Sequence, residues 1–205
     1  MINCTTGRYR RLKIYAMYLR HDDPKKNTLV KLARYGIVEI VRRLPANTLV
    51  LDPFAVYPLS PLDKGVVASC GLGLVDCSWK KAWQVHVKLK VRVRRRLPIL
   101  FAANPINYAK PYILSSAEAI AAALYITSFK EEAHRILSLF KWGHTFFELN
   151  SDLLEAYSTA KTTDDLIAIE CEIMEKIVGR ELECRVETLA STIRRMVHTA
   201  LAQEV

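Results

Sequence analysis

Long hydrophobic runs are missing from this chain. No segment reaches the roughly 18 uninterrupted apolar residues required of a membrane-spanning helix, so no membrane partner is expected. The N-terminal stretch MINCTTGRYRRLK is basic but lacks the apolar core and small-residue cleavage site of a signal peptide, and a cytoplasmic protein is the expectation. The phosphate-cradling patterns G-x-G-x-x-G and G-x-x-x-x-G-K-[ST] are absent, which excludes a Rossmann pyrophosphate loop and a P-loop. There is no G-x-S-x-G nucleophile elbow. Cysteine is scarce and odd in number, at Cys4, Cys70, Cys77, Cys171 and Cys184, with no C-x-x-C. Neither a zinc knuckle nor a disulfide framework is expected, and a reducing setting is the simplest fit. Proline is absent from residues 117–202, where glycine occurs only at Gly143 and Gly179.

Positive charge is abundant, and unevenly placed. Of the 205 residues, 1–110 carry 21 Lys and Arg against 6 Asp and Glu, and 111–205 carry 9 against 15. The first half is therefore +15 and the second −6, giving the overall +9. A basic half joined to an acidic half fits docking of an anionic polymer on the first. The densest basic stretch is KKAWQVHVKLKVRVRRR at 80–96, with eight Lys or Arg in seventeen residues. From Val85 to Val93, Val or Leu alternates with His, Lys or Arg, the period of a strand with one basic face. Such a face suits a phosphate backbone. Arg92, Arg94, Arg95 and Arg96 are the candidates there, joined by Lys25 and Lys26 beside a predicted helix start.

The rest of the pattern is α/β followed by all-helical. Strands are predicted at Leu12–Leu19, Asn47–Asp52 and Leu72–Asp76, with helices over about 29–35 and from Ser60-Pro61 to Cys70. Asp76 ends a buried strand, where an acid is out of place without a partner or a role. Leu97–Ala103 reads as a further buried strand. It leads into the proline-punctuated loop Asn104–Pro111 and a capping box at Ser115 and Glu118. Strand, shaped loop and helix start in that order often frame a ligand site in α/β proteins. Helices follow at about 116–127, 130–140, 144–157, 163–178 and 181–202. The division expected is an α/β domain over 1–96, then a last strand and binding loop with a helical domain over 97–205. His21, Asp22 and Asp23 are adjacent on a loop and rarely could converge on one ion, so no metal is expected.

An ordered set of short motifs resembles the archaeal small-subunit (16S/18S) rRNA aminocarboxypropyltransferase family. They are Asp23-Pro24-Lys25-Lys26-Asn27-Thr28, Leu59-Ser60-Pro61, Val75-Asp76-Cys77-Ser78-Trp79, Arg96-Leu97-Pro98 and Ala102-Ala103-Asn104-Pro105-Ile106-Asn107-Tyr108. Pro111, Leu114-Ser115, Glu118-Ala119, Phe140-Lys141-Trp142-Gly143 and Phe147-Glu148-Leu149-Asn150 complete it. The resemblance spans residues 12–178. The composition of 84–94 departs from the family, and 180–205 resembles an added C-terminal extension.

The resemblance implies a SPOUT-like α/β fold with a knotted backbone. It implies transfer of the 3-amino-3-carboxypropyl group from S-adenosylmethionine (SAM) to N3 of an N1-methylated pseudouridine in small-subunit rRNA. By the same resemblance, Val75 and Leu97 offer backbone groups to ribose and adenine, and Tyr112 a backbone contact to adenine. Trp79 and Leu114 flank the ring, Thr28 lies near the amino-acid end and Ser116 starts the helix at the pocket. Asp76 sits near the sulfonium and is the catalytic candidate, expected to favour the cationic donor, with removal of the uracil N3 proton as the weaker second role. The expected partners are small-subunit rRNA or the pre-ribosomal small subunit, and a monomer is expected. A SPOUT-type RNA methyltransferase and a non-enzymatic assembly factor are the competing readings.

Overall fold

The computed structural model describes residues 12–21 and 23–202. Asp22, one of the three loop residues weighed as a metal ligand, lies outside the described residues. The first half is built on a sheet of β1 (Ile14–Tyr18), β2 (Glu39–Ile40), β3 (Leu49–Leu51), β4 (Leu72–Asp76) and β5 (Val93–Arg95), in the order β2-β1-β4-β3-β5. Every neighbouring pair is parallel. All five residues of β4 are buried, as a central strand covered on both faces requires. Helices α1 (Thr28–Arg34), α2 (Lys64–Cys70) and α3 (Trp79–His86) connect the strands.

Local chemistry explains the boundaries. Asn27 caps α1 by accepting the Val30 N–H at 3.0 Å. Ser60 and Asp63 form a capping box over the 3₁₀ turn Pro61–Asp63 that leads into α2. Gly71 then enters β4 at φ +89°, and a Cβ there would lie 2.6 Å from the Lys13 carbonyl oxygen. Only glycine fits that approach.

The second half comprises α4 (Ser116–Ile126), α5 (Lys130–Leu137), α6 (Gly143–Leu149), α7 (Ser151–Thr159), α8 (Thr163–Val178) and α9 (Val186–Ala202). Helix α4 is apolar on nearly every side, which is why it is the central helix, packed on α1, β4, α5 and α7. One apolar core runs from Ile14 and Leu74 through Ala121 to Tyr157 and Leu166. The α/β and helical parts are therefore packed against each other as one body.

Three expectations need correction. First, the alternating stretch 85–93 is not a strand. Ser78 precedes a helix, α3, that runs to His86, and only Val93–Arg95 joins the sheet. Val85, Leu89 and Val91 are instead drawn onto a small core of Leu44, Val50 and Val75. Second, the predicted helix 144–157 is two helices separated at Asn150. This side chain, fully buried, accepts the Phe101 N–H at 2.7 Å and donates to the carbonyls of Phe101 at 2.9 Å and Phe146 at 2.8 Å. Third, Cys171 and Cys184 form a disulfide that ties α8 to the segment before α9. Such bridges occur in oxidising compartments and in intracellular proteins of hyperthermophiles, so cysteine count alone does not fix a reducing setting.

Residues 97–103 are buried as expected but pair with no strand of the sheet. The segment folds back on 109–112 through hydrogen bonds Ala109 N–H to Ala102 O at 2.7 Å and Tyr112 N–H to Leu100 O at 3.0 Å. Its other backbone groups are met by side chains of the helical half. Ile99 N–H donates to Glu170 Oε1 at 3.1 Å, the Tyr157 hydroxyl donates to Ile99 O at 3.2 Å, and Ala103 N–H donates to Glu118 Oε1 at 2.7 Å. Buried backbone must be paired, and here side chains take the place of a ladder. Asn150→Ala would leave both polar groups of Phe101 without that partner. It is expected to lower unfolding free energy by about 2 kcal/mol, read from the urea midpoint.

Candidate active site

The carboxyl ends of β4 and β3 point to the same side, where segments 96–98 and 112–116 cross over them. Two adjoining cavities open there. Val75, Asp76, Trp79, Leu97, Tyr112, Leu114 and Ser116 all line the first. Thr28 does not. It lines the second, with Lys26, Asn27 and Trp142. Asp76, Trp79, Leu114 and Ser116 belong to both cavities. The eight residues expected to hold the donor are thus gathered around one junction.

Asp76 is at that junction for topological reasons. It ends the central strand, paired with Tyr18 of β1. Asp76 is 9% exposed, and its carboxylate is held from two helix starts. Asn27, which caps α1, donates Nδ2–H to Asp76 Oδ2 at 2.7 Å. The Ser116 hydroxyl, at the first turn of α4, donates to Asp76 Oδ1. The two helix starts are themselves joined, Ala117 N–H donating to Thr28 Oγ1 at 3.3 Å. The carboxylate is therefore fixed in position, buried, and exposed only toward the cavities.

The loop from strand end to helix is also held rigidly. Glu118, 0% exposed, accepts N–H bonds from Ala103, Asn104 and Ser115 and a further bond from Asn104 Nδ2. Tyr112 adopts φ +65°, in the left-handed region. A non-glycine residue held there at a cavity wall marks local strain retained by its surroundings. Burial, and the negative Glu170 nearby, push the Tyr112 phenol well above its ordinary pKa, so it is the neutral donor of a 3.4 Å bond to Glu170 Oε1.

Of the wall residues that were not among the candidates read from the sequence, four bear most on the site. Asp52, following β3, and His86 of α3 lie against the first cavity, with Nδ1 of His86 2.9 Å from Asp52 Oδ1. Burial pushes the Asp52 carboxyl up, but its bonds to His86, to the Phe54 N–H and to Arg94 prevail and hold it below the usual carboxylate range. Asp52 carries the signal that singled out Asp76, an acid closing a buried strand. Ile193 and Val197 of α9 complete the cavity wall, so the C-terminal extension is part of the site. Their contribution has no local sequence signal.

The basic candidates divide. Lys25, Lys26 and Arg92 are exposed. Arg94 pairs with Asp52, and Arg95 donates to Asp63 Oδ2 at 3.1 Å; their side chains keep 31% and 29% exposure. Arg96 is a correction: at 1% exposure it makes two bonds to Glu170, 2.6 and 2.7 Å, and has no surface to offer a phosphate. Among the described residues, the grouping with metal-ligand character is Cys171, Glu175 and Cys184. Its two sulfurs are bonded to each other.

A family model described as "Ribosome biogenesis protein, C-terminal" matches residues 49–174. The 16S rRNA aminocarboxypropyltransferase of Vulcanisaeta distributa is 49% identical over 152 residues, covering 71% of this chain and 82% of that protein. The protein of the same name from Saccharolobus solfataricus is 47% identical over 169 residues, covering 82% of this chain and 100% of that one. Among solved structures, the SAM-dependent rRNA:acp-transferase Tsr3 from Vulcanisaeta distributa matches with a TM-score of 0.76 at 40% identity, over 92% of this chain and 100% of that one. With the motifs assembled around Asp76 and the relatives matched over most of their length, the chain belongs to the 16S rRNA aminocarboxypropyltransferase family.

Proposed function

We propose that this protein transfers the 3-amino-3-carboxypropyl group of SAM to N3 of an N1-methylpseudouridine in small-subunit rRNA, late in subunit maturation. The observation that carries it is the Asp76 carboxylate, fixed from two helix starts where the two adjoining cavities meet. A sulfonium ion with an adenosine on one arm and an amino acid on another fits this arrangement. Trp79 and Leu114 supply flat and aliphatic walls for the purine. The Tyr112 N–H is bonded to Leu100 O, and its carbonyl, which accepts the Leu114 N–H at 2.9 Å, keeps a second lone pair for the adenine amine.

The donor presents three carbons to attack at one sulfur. Displacement needs nucleophile, carbon and sulfur in line, so the bound pose alone decides which group moves. The protein's task is to cover the methyl and turn the aminocarboxypropyl methylene toward the cavity lined by Lys26, Asn27 and Thr28. N1-methylation leaves N3 as the ring nitrogen open to alkylation: N3 gives up its proton to water and bonds to the methylene, and the carbon–sulfur bond breaks to release methylthioadenosine. Asp76 favours binding of the cation. The exposed Lys25, Lys26 and Arg92 take RNA phosphates. In this reading residues 1–96 provide most of the RNA-facing surface and 97–205 the donor loop and cover, on a SPOUT-like knotted backbone acting as a cytoplasmic monomer.

The test uses SAM labelled in the carboxypropyl carbons and small-subunit rRNA carrying N1-methylpseudouridine but lacking the further modification. Label on the RNA with release of methylthioadenosine is expected. Release of S-adenosylhomocysteine with no label on RNA would make the protein a methyltransferase. Binding of that RNA with no consumption of SAM would favour an assembly factor.

A further inference from the structure

Helices α3 and α9 form a wall with two sides. Ala82 and His86 of α3 and Ile193 of α9 face the donor cavity. The adjacent residues Trp83 and Arg194 belong to a separate pocket on the outer side, with Tyr57, Arg92, Arg94 and Arg95. Trp83 is 45% exposed and Tyr57 54%, yet the indole is not loose. The Phe54 ring meets it edge-on at 5.1 Å between centroids, and the Arg194 guanidinium lies 5.7 Å from its centroid. Arg194 is anchored in turn by donating Nη2–H to Phe54 O at 2.7 Å, while its buried Nε has no hydrogen-bond partner among the described residues.

We propose that this outer pocket binds an unpaired nucleotide of the rRNA, away from the reacting base; this rests on the reading of the chain as an rRNA-modifying enzyme. A half-exposed indole and a half-exposed phenol in one pocket offer stacking faces. Arg92, exposed, and Arg194 offer positive charge to the flanking phosphates, while Arg94 and Arg95, paired with Asp52 and Asp63, keep 31% and 29% of their side chains exposed. Single-stranded RNA carries both complements, since its base faces are open and its backbone is anionic. A duplex hides the base faces within its own stack. An acidic protein segment would match the arginines and leave the indole without a partner. The pocket is built from Tyr57, Trp83 and Arg95, from Val87, Arg92 and Arg94 of the 84–94 stretch that departs from the family in composition, and from Arg194 of the C-terminal extension. It thereby gives both departures a common use.

The test compares wild type, Trp83→Ala, Trp83→Phe and Arg92→Ala. Binding of a fluorescent 12-nucleotide single-stranded RNA and of a duplex of equal length is measured over a range of salt, with SAM binding measured in parallel. Trp83→Ala is expected to raise the dissociation constant for the single strand about fivefold or more, the loss of one base–aromatic stack. Trp83→Phe should restore most of it, and SAM binding should be unchanged in both. Arg92→Ala should flatten the logarithmic salt slope by about 0.7, one phosphate contact on a single strand. Unchanged affinity in Trp83→Ala and an unchanged slope in Arg92→Ala would overturn the proposal, as would equal wild-type preference for the duplex. Failure of wild type to bind either RNA would instead overturn the rRNA-modifying reading on which it rests.

Discussion

Asp76→Asn is expected to weaken SAM binding about 10- to 100-fold, the scale of one hydrogen-bonded contact to a charged group. The substitution isolates charge from geometry. Asn27 must keep its Nδ2 toward residue 76, because its Oδ1 is committed to capping α1. An asparagine at 76 can accept that bond with its oxygen and donate its amide to Ser116, whose hydroxyl rotates to suit. The loop therefore stays in place while the negative charge is gone. Transfer converts a sulfonium into a neutral thioether, so a nearby carboxylate favours the bound donor more than the transition state. Turnover at saturating SAM is accordingly expected to hold within about tenfold of wild type, less than the roughly 10²–10⁴-fold that a proton-accepting group contributes. Calorimetry gives the affinity and methylthioadenosine release gives the turnover. Normal SAM affinity would remove the cation-binding role, and a collapse of turnover at saturation would make Asp76 the acceptor of the N3 proton.

Glu170→Gln is expected to lower unfolding free energy by about 3–5 kcal/mol, the range for a buried ion pair broken on one side. Arg96 and Glu170 are 1% and 0% exposed, so neither finds water when its partner is neutralised. The amide keeps an oxygen for the Ile99 N–H, so the loss reports the stranded guanidinium rather than a missing backbone bond. Arg96→Met combined with Glu170→Gln removes both charges and should recover part of the loss. Urea unfolding of the two single variants and the pair closes the cycle. Equal stability of Glu170→Gln and wild type would show that the pair contributes nothing.

The sequence made much of the α/β half legible because its signals are local. Asn27 and Ser115 are caps with their partners three residues on, and Asp76 stands out as an acid at the end of an apolar strand. The candidate donor-site residues came from an ordered set of motifs, and the fold gathers them around two adjoining cavities. What was illegible depends on distant partners. Nothing near Asn150 says that its amide will be needed by Phe101 and will divide a helix. Nothing near Arg96 marks it as internal among exposed neighbours of the same type. Leu97–Ala103 has the composition of a strand and is buried like one, but strand identity depends on who answers its backbone, and here side chains do. The alternation at 85–93 misled for the same reason: Val85, Leu89 and Val91 follow a small core rather than a ladder, α3 ends at His86, and 87–92 are neither helix nor strand.

The side-chain bonding of residues 97–104 also sets an order of assembly. Phe101 is answered by a residue 49 positions later, Ile99 by residues 58 and 71 positions later. A chain being synthesised has Asp76, Trp79, Tyr112 and Ser116 outside the ribosome well before Glu170 exists. Until Asn150 and α7 are docked, Phe101 and the Ile99 carbonyl lack these partners, and until α8 follows the Ile99 N–H lacks Glu170, so the segment that frames the cavity is not held along its whole course. Contacts this distant in sequence must wait for loop closure. Donor binding is therefore a late property of the nascent chain, acquired only when the helical half is complete.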